Sequence, residues 1–133
     1  MLKKLIIAMS LLGLSSLALA ADDMYKRGKD QSFTANCINP TERTDGTPLA
    51  LSEIAEIVYY VDVSGGFTGN PLLTINMQGG CMAVPVDLQQ FPINIELGRY
   101  AKTIDTGGLE SIVAAGRTFI VQSANPKAPG QIR

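Results

Sequence analysis

The chain has 133 residues with 11 basic and 12 acidic side chains, no histidine and two cysteines. This balanced charge, without a basic run, argues against nucleic acid or anionic lipid as a partner. The lack of histidine excludes Ser-His-Asp and Cys-His catalysis and most catalytic zinc sites.

Residues 1–20 have the pattern of a secretory signal peptide. Two lysines precede an apolar run from Leu5 to Leu17, and the small residues of Ala18-Leu19-Ala20 are typical of a cleavage site. We therefore expect cleavage before Ala21, a periplasmic or secreted bacterial protein, and no membrane insertion after cleavage. The alternative is an uncleaved anchor, but the apolar run is short for a span of about 20 residues.

The rest of the chain has the regularly spaced turn residues that are typical of an all-β domain. Asp-Gly, Gly-Gly and Asn-Pro pairs separate short runs rich in Val, Ile, Thr, Tyr and Phe, and no segment keeps a helical period. After a polar segment at 21–31 we predict strands at 32–38, 54–63, 72–77, 81–88, 93–105 and 117–123. Pro85 predicts an edge position or a bulge for its strand, and we expect a bulge near Gly98.

Two motifs carry a family resemblance. Residues 40–61 place Arg43 and Asp45-Gly46 before a tyrosine-rich strand, and residues 102–111 read Lys-Thr-Ile-Asp-Thr-Gly-Gly-Leu-Glu-Ser. Both resemble segments of bacterial fibronectin type III domains, over roughly residues 32–124. The resemblance implies an immunoglobulin-like β-sandwich with a short or frayed first strand, followed by a tail at 125–133. Members of that family are mostly scaffolds, spacers and binding modules.

The two cysteines, Cys37 and Cys81, predict a disulfide, because an exported chain matures in an oxidising compartment. The closed loop of 45 residues (81 − 37 + 1) gives a chain-entropy stabilisation on the order of 4 kcal/mol. A metal site is the rival interpretation, and two cysteines without histidine make a poor one. In the fold that the resemblance implies, the bond would tie the second strand to the fifth.

Asp105-Thr106-Gly107 is the one triplet that imitates an active site. Retroviral-type aspartic proteases carry Asp-Thr-Gly and pair two such aspartates, but Gly108 stands where they have a small Ala or Ser. We instead expect a structural turn, in which Asp105 bonds its own backbone and Gly107 or Gly108 takes a positive φ. Asp45 and Gly46 predict a second such turn.

Three tyrosines form a candidate binding surface. Tyr59 and Tyr60 point to opposite faces of one strand, so one of them is expected in the core and the other exposed near Tyr100. An exposed tyrosine pair can stack on sugar rings or anchor a protein partner. Ordinary packing on the sheet surface is the alternative.

The polar segment before the second strand suggests an open strand edge. If residues 21–31 do not pair with it, the free backbone groups could accept a strand from another chain. The alternative is that the segment pairs there through Met24 and Tyr25. The edge would comprise Ser32, Thr34, Asn36 and Ile38.

These observations predict an exported, non-catalytic binding or assembly module that acts through protein–protein interaction at the cell envelope. We expect a monomer or weak dimer, and no cofactor or metal. The alternatives are a carbohydrate-binding accessory domain and, more remotely, a small hydrolase that uses paired carboxylates.

Overall fold

The computed structural model describes residues 21–123 and 127–133, so the predicted signal peptide lies outside the described residues. The prediction of an all-β chain is confirmed, since the described residues contain no α-helix. The only helical turns among them are 3₁₀ turns at Leu51–Glu53 and Leu88–Gln90. The strands are β1 (Asp23–Lys26), β2 (Ser32–Ala35), β3 (Ile54–Val63), β4 (Leu73–Gln78), β5 (Val84–Asp87), β6 (Glu96–Asp105) and β7 (Ala114–Gln122).

The strands form two sheets. The larger has five strands in the order β1-β7-β6-β3-β4, and the smaller pairs β2 with β5. β1 runs parallel to β7, whereas all other pairs are antiparallel. Within the described ranges, no helix has the length and apolarity that a membrane crossing requires.

Side chains from both sheets share one core. Along β3, Ile57, Tyr59 and Val61 point inward and are almost fully buried, as the period of two in a strand requires. They pack in one cluster with Phe33 of the small sheet and Phe119 of β7. The rings of these two phenylalanines lie 5.1 Å apart, so the small sheet packs directly on the large one.

The first strand is present but does not pair with β2. β1 instead extends the large sheet beside Phe119–Gln122 of β7. Polar contacts hold it there, because the Asp22 carboxylate accepts the backbone N–H of Thr118 at 2.9 Å and Asp23 pairs with Arg117 at 3.0 Å. Asp22 and Asp23, which made this segment a poor strand former in the sequence, are therefore the residues that hold β1 against β7.

Cys37 and Cys81 form the predicted disulfide, with their Cα atoms 5.4 Å apart. The bond joins the chain just after β2 to the chain just before β5, and so ties together the two strands of the small sheet. A structural disulfide of this kind is typical of proteins outside the reducing cytoplasm.

Candidate binding groove

The outer edge of β2 is open in the part of the chain that the structure describes, because β2 pairs only with β5. Thr34 lies opposite Pro85, which has no N–H, so these two residues cannot exchange hydrogen bonds. The Leu88 N–H donates to the Gln31 carbonyl at 3.0 Å, which shows that the odd-numbered residues bond to β5. The backbone groups that face the open edge therefore belong to Ser32 and Thr34.

The remaining residues of the predicted edge lie beyond the strand. The Cys37 N–H donates to the Asn36 side-chain oxygen at 2.8 Å, a local bond that takes the backbone out of the ladder. The strand consequently ends at Ala35 instead of the predicted Ile38. Ile38 itself is 94 % exposed, which is unusual for an isoleucine beside a core.

A groove of about 660 Å³ runs between the two sheets along this edge. Thr34 and Ile38 line one wall, and the first residues of β7, Ala114–Gly116, line the other. Because β1 covers only the second half of β7, the Ala114–Gly116 segment is also exposed on its outer side. Two uncovered strand segments thus line the same groove, together with the buried Tyr59.

Arg99 also lines the groove. Its guanidinium group stacks over the rings of Phe33 at 4.4 Å and Phe119 at 4.7 Å, the geometry of a cation–π contact. It donates to the Asp23 carboxylate at 2.7 Å and to the Tyr25 hydroxyl at 2.9 Å. These contacts fix the position of the Arg99 guanidinium group in the groove lining.

The electrostatics around Arg99 follow from those contacts. The hydrogen bond from Arg117 lowers the pKa of Asp23, burial opposes the shift, and the Arg99 guanidinium adds to it. Tyr59, only 4 % exposed, has its pKa raised to about 12 because burial disfavours the phenolate. The groove thus contains the un-ionised phenol of Tyr59 and the guanidinium group of Arg99, whose charge is balanced by Asp23.

The structure does not bring the three predicted tyrosines to one surface. Tyr59 faces the core, whereas Tyr60 and Tyr100 lie opposite one another on the outer face of the large sheet. Tyr100 is 5 % exposed, and its hydroxyl donates to the Val63 carbonyl at 2.7 Å while accepting the Gly66 N–H at 3.2 Å. Tyr100 therefore anchors the loop after β3, and only Tyr60 of the pair is half-exposed.

The two predicted turns are joined by one arginine. Asp105 accepts the backbone N–H groups of Gly107 at 2.9 Å and Leu109 at 2.8 Å, and Gly108 takes a φ of 83°. The other oxygen of Asp105 accepts from Arg43 at 2.9 Å, and this bond lowers the pKa of the carboxyl group. One oxygen of Asp105 therefore holds its own turn, and the other ties that turn to Arg43.

The second turn is formed by the backbone of Arg43, whose carbonyl accepts the Gly46 N–H at 2.9 Å. The Asp45 carboxylate accepts from the Thr47 backbone N–H at 3.0 Å and from the Thr47 hydroxyl at 2.7 Å. Gly46 has a φ of 84°, a conformation that glycine adopts without steric cost. The two motifs that carried the family resemblance are thus in contact.

Sequence reasoning missed three parts of the groove: Arg99, Asp23 and the Ala114–Gly116 wall. Arg99 gave no signal because its aromatic neighbours are distant in sequence, and the wall is too poor in β-formers to be read as a strand. No three His, Cys, Asp or Glu side chains within residues 21–123 and 127–133 are placed to hold a metal ion.

Comparison with known proteins gives no relative: no family model, no curated protein and no solved structure matches this chain.

Proposed function

We propose that this chain is an exported, non-catalytic binding module that docks an extended segment of a partner protein along the open edge of β2. The observation that carries the proposal is the groove of about 660 Å³ between Thr34–Ile38 and Ala114–Gly116. Strand addition at an open edge obtains affinity from backbone hydrogen bonds and specificity from alternate side chains that enter pockets. This edge offers both elements.

The chemistry of the groove describes the segment that would fit. Backbone groups of Ser32 and Thr34 supply the hydrogen bonds, and alternate side chains of the incoming strand would enter the groove over Tyr59. The lining is mainly apolar, with Ala101 and Ala114 leaving room for large side chains. An extended segment that alternates apolar and polar residues satisfies these conditions.

The architecture proposed for this module is an immunoglobulin-like sandwich of the fibronectin type III kind. In its support, β2 pairs with β5 in one sheet, and β4, β3, β6 and β7 are neighbours in the other. That order agrees with the strand lettering expected from the resemblance. The Cys37–Cys81 disulfide supports a periplasmic or secreted location.

The rival functions receive less support. A hydrolase would need a carboxylate free to share a proton, but both oxygens of Asp105 accept hydrogen bonds. The tyrosine pair expected to stack on sugar rings is not exposed as a pair, because Tyr100 is 5 % exposed and the Tyr60 ring packs 4.6 Å from that of Phe67. Protein binding at the β2 edge therefore remains our first choice.

A peptide library tests the proposal. Random 12-residue peptides displayed on phage would be selected on the purified disulfide-bonded protein, and the selected peptides measured by calorimetry. Thr34→Pro removes the outward N–H and should weaken binding at least tenfold. Thr34→Val keeps that N–H and should bind as the wild type does. Selected peptides that bind equally well to the Thr34→Pro variant would contradict the proposal.

A further inference from the structure

The edge strand β4 lies at the far end of the large sheet from β1. Its six residues, Leu73–Gln78, contain no charge and no proline, and their register with β3 runs without a bulge. Natural proteins normally protect edge strands with charges, prolines, bulges or short length. β1 has charged residues at both ends and β5 contains Pro85, but β4 has none of these devices.

The backbone groups that β4 presents outward can be identified. The Gly79 N–H donates to the Ala55 carbonyl at 2.8 Å, so the odd-numbered residues of β4 bond to β3 in this antiparallel pair. The even-numbered residues therefore point their N–H and C=O groups away from the sheet. These residues are Thr74, Asn76 and Gln78.

The side chains of β4 alternate in a way that matches a copy of themselves. Leu73 and Ile75 are half-buried and Met77 is fully buried on the core side. On the other face Thr74, Asn76 and Gln78 are all exposed. A second β4 that runs antiparallel across a twofold axis would place apolar residues beside apolar ones and polar residues beside polar ones.

We propose that two copies of this chain pair antiparallel through β4, symmetrically about Asn76, to form a homodimer with a continuous ten-stranded sheet. Asn76 then lies opposite Asn76 of the second copy, and Thr74 lies opposite its Gln78. On the core side the register places Ile75 opposite Met77 of the second copy. No like charges face each other, which favours a second copy over a charged foreign segment.

This interface lies outside the proposed binding groove. None of the residues that line the groove belongs to β4, and β4 is separated from β7 by β6 and β3. A dimer would therefore carry two open grooves, and a partner with two docking segments would gain avidity from both. The proposal stands even if the groove binds nothing.

The oligomeric state tests the proposal directly, by sedimentation equilibrium of the full disulfide-bonded protein. The wild type and Asn76→Thr should be dimeric, and Asn76→Pro, which removes an outward N–H that β3 does not use, should be monomeric. Thr34→Pro should remain dimeric. Circular dichroism melting checks that each variant is folded. A monomeric wild type, or a dimer that survives in folded Asn76→Pro, would overturn the proposal.

A cross-link tests the register and does not depend on proline. Residues opposite one another in a hydrogen-bonded antiparallel pair have Cα atoms about 5.5 Å apart, within the range of a disulfide. Asn76→Cys should therefore give a covalent dimer on mild oxidation. The matched control Thr74→Cys should not, because the two Thr74 positions would be about 14 Å apart. Equal cross-linking of both variants, or of neither, would overturn the symmetric pairing.

Discussion

Thr34 lies directly opposite Pro85 in the two-stranded sheet, and this pairing determines which backbone groups of β2 remain free. Because proline has no N–H, the hydrogen bonds between the strands fall on the neighbouring residues. The N–H and C=O of Thr34 consequently face the open edge of β2, and Thr34 also lines the groove. Pro85 on β5 thus leaves the backbone N–H and C=O of Thr34 on β2 free to bond to a partner.

Proline substitutions along β2 should therefore differ sharply. Thr34→Pro should lower the free energy of unfolding by less than about 1 kcal/mol, because its N–H bonds to nothing within the sheet. Ala35→Pro removes an N–H that bonds to β5 and should cost about 2 kcal/mol or more. Urea unfolding measures both values. Equal losses would show that the assigned alternation of β2 is wrong.

Asp62 should be a main support of the loop after β3. The residue is 2 % exposed, and one carboxylate oxygen accepts from both the N–H and the hydroxyl of Thr68, at 2.8 and 2.7 Å. Since bonds to charged groups contribute roughly 1.5–3 kcal/mol, Asp62→Ala should destabilise the fold by about 2 kcal/mol. The control Thr68→Val loses the hydroxyl bond to Asp62 and the exposed bond that the hydroxyl accepts from the Asn70 N–H, but keeps the buried carboxylate, and should cost less. A loss below about 0.5 kcal/mol for Asp62→Ala would contradict this role.

Stability should fall in acid and stay level near neutrality. Arg43 lowers the pKa of Asp105. At Asp62 burial opposes ionisation, yet the bonds from Thr68 and Val63 hold its pKa below the ordinary 3.8. Carboxyl groups with lowered pKa stabilise the fold above the unfolded value of 3.8, and that contribution is lost as the pH falls through the folded values. The chain has no histidine, which is the side chain whose ordinary pKa lies between 5 and 8. We therefore expect little change in stability across that pH range.

Melting temperature measured from pH 8 to pH 2 checks this expectation. We expect a plateau down to about pH 5 and a decline below about pH 4. Arg43→Gln removes the partner of Asp105 and should flatten the acid decline. A decline that begins near pH 6 would contradict the account.

Tyr59 should lose its hydroxyl proton only at high pH. Burial raises its pKa to about 12, so its neutral form stabilises the fold below the unfolded value of 10.0. That contribution is lost as the pH rises from 10 towards 12. Ultraviolet titration of phenolate should show a late component that Tyr59→Phe lacks. A titration curve unchanged by Tyr59→Phe would contradict its burial.

The sequence predicted a strand correctly where its own residues alternate between buried and outward-facing side chains. The predicted bounds of 54–63 coincide with β3, because its β-branched and aromatic residues alternate between core and outer face. The start of β7 was predicted three residues late, since Ala114, Ala115 and Gly116 are poor strand formers. Pairing with Tyr100 and Ala101 of β6 makes them a strand.

Contacts between distant residues could not be predicted in the same way. The neighbour of β1 is chosen by ion pairs from Asp23 to Arg99 and Arg117, which lie at least 76 positions away. The groove arises from that choice, because β1 covers only half of β7 and leaves β2 uncovered. The polar segment at 21–31 suggested an open edge because it was expected to stay unpaired, whereas part of it forms β1 and pairs with β7.

The most direct test of strand addition is residue-resolved amide exchange of β2, with and without a bound peptide. In the isolated protein the N–H groups of Ser32 and Thr34 should exchange fast, and those of Phe33 and Ala35 slowly. Binding of a library-selected peptide should slow the exchange of Ser32 and Thr34 and leave Phe33 and Ala35 unchanged. Uniform protection of β2 in the isolated protein, or fast exchange at Thr34 in the saturated complex, would contradict docking at this edge.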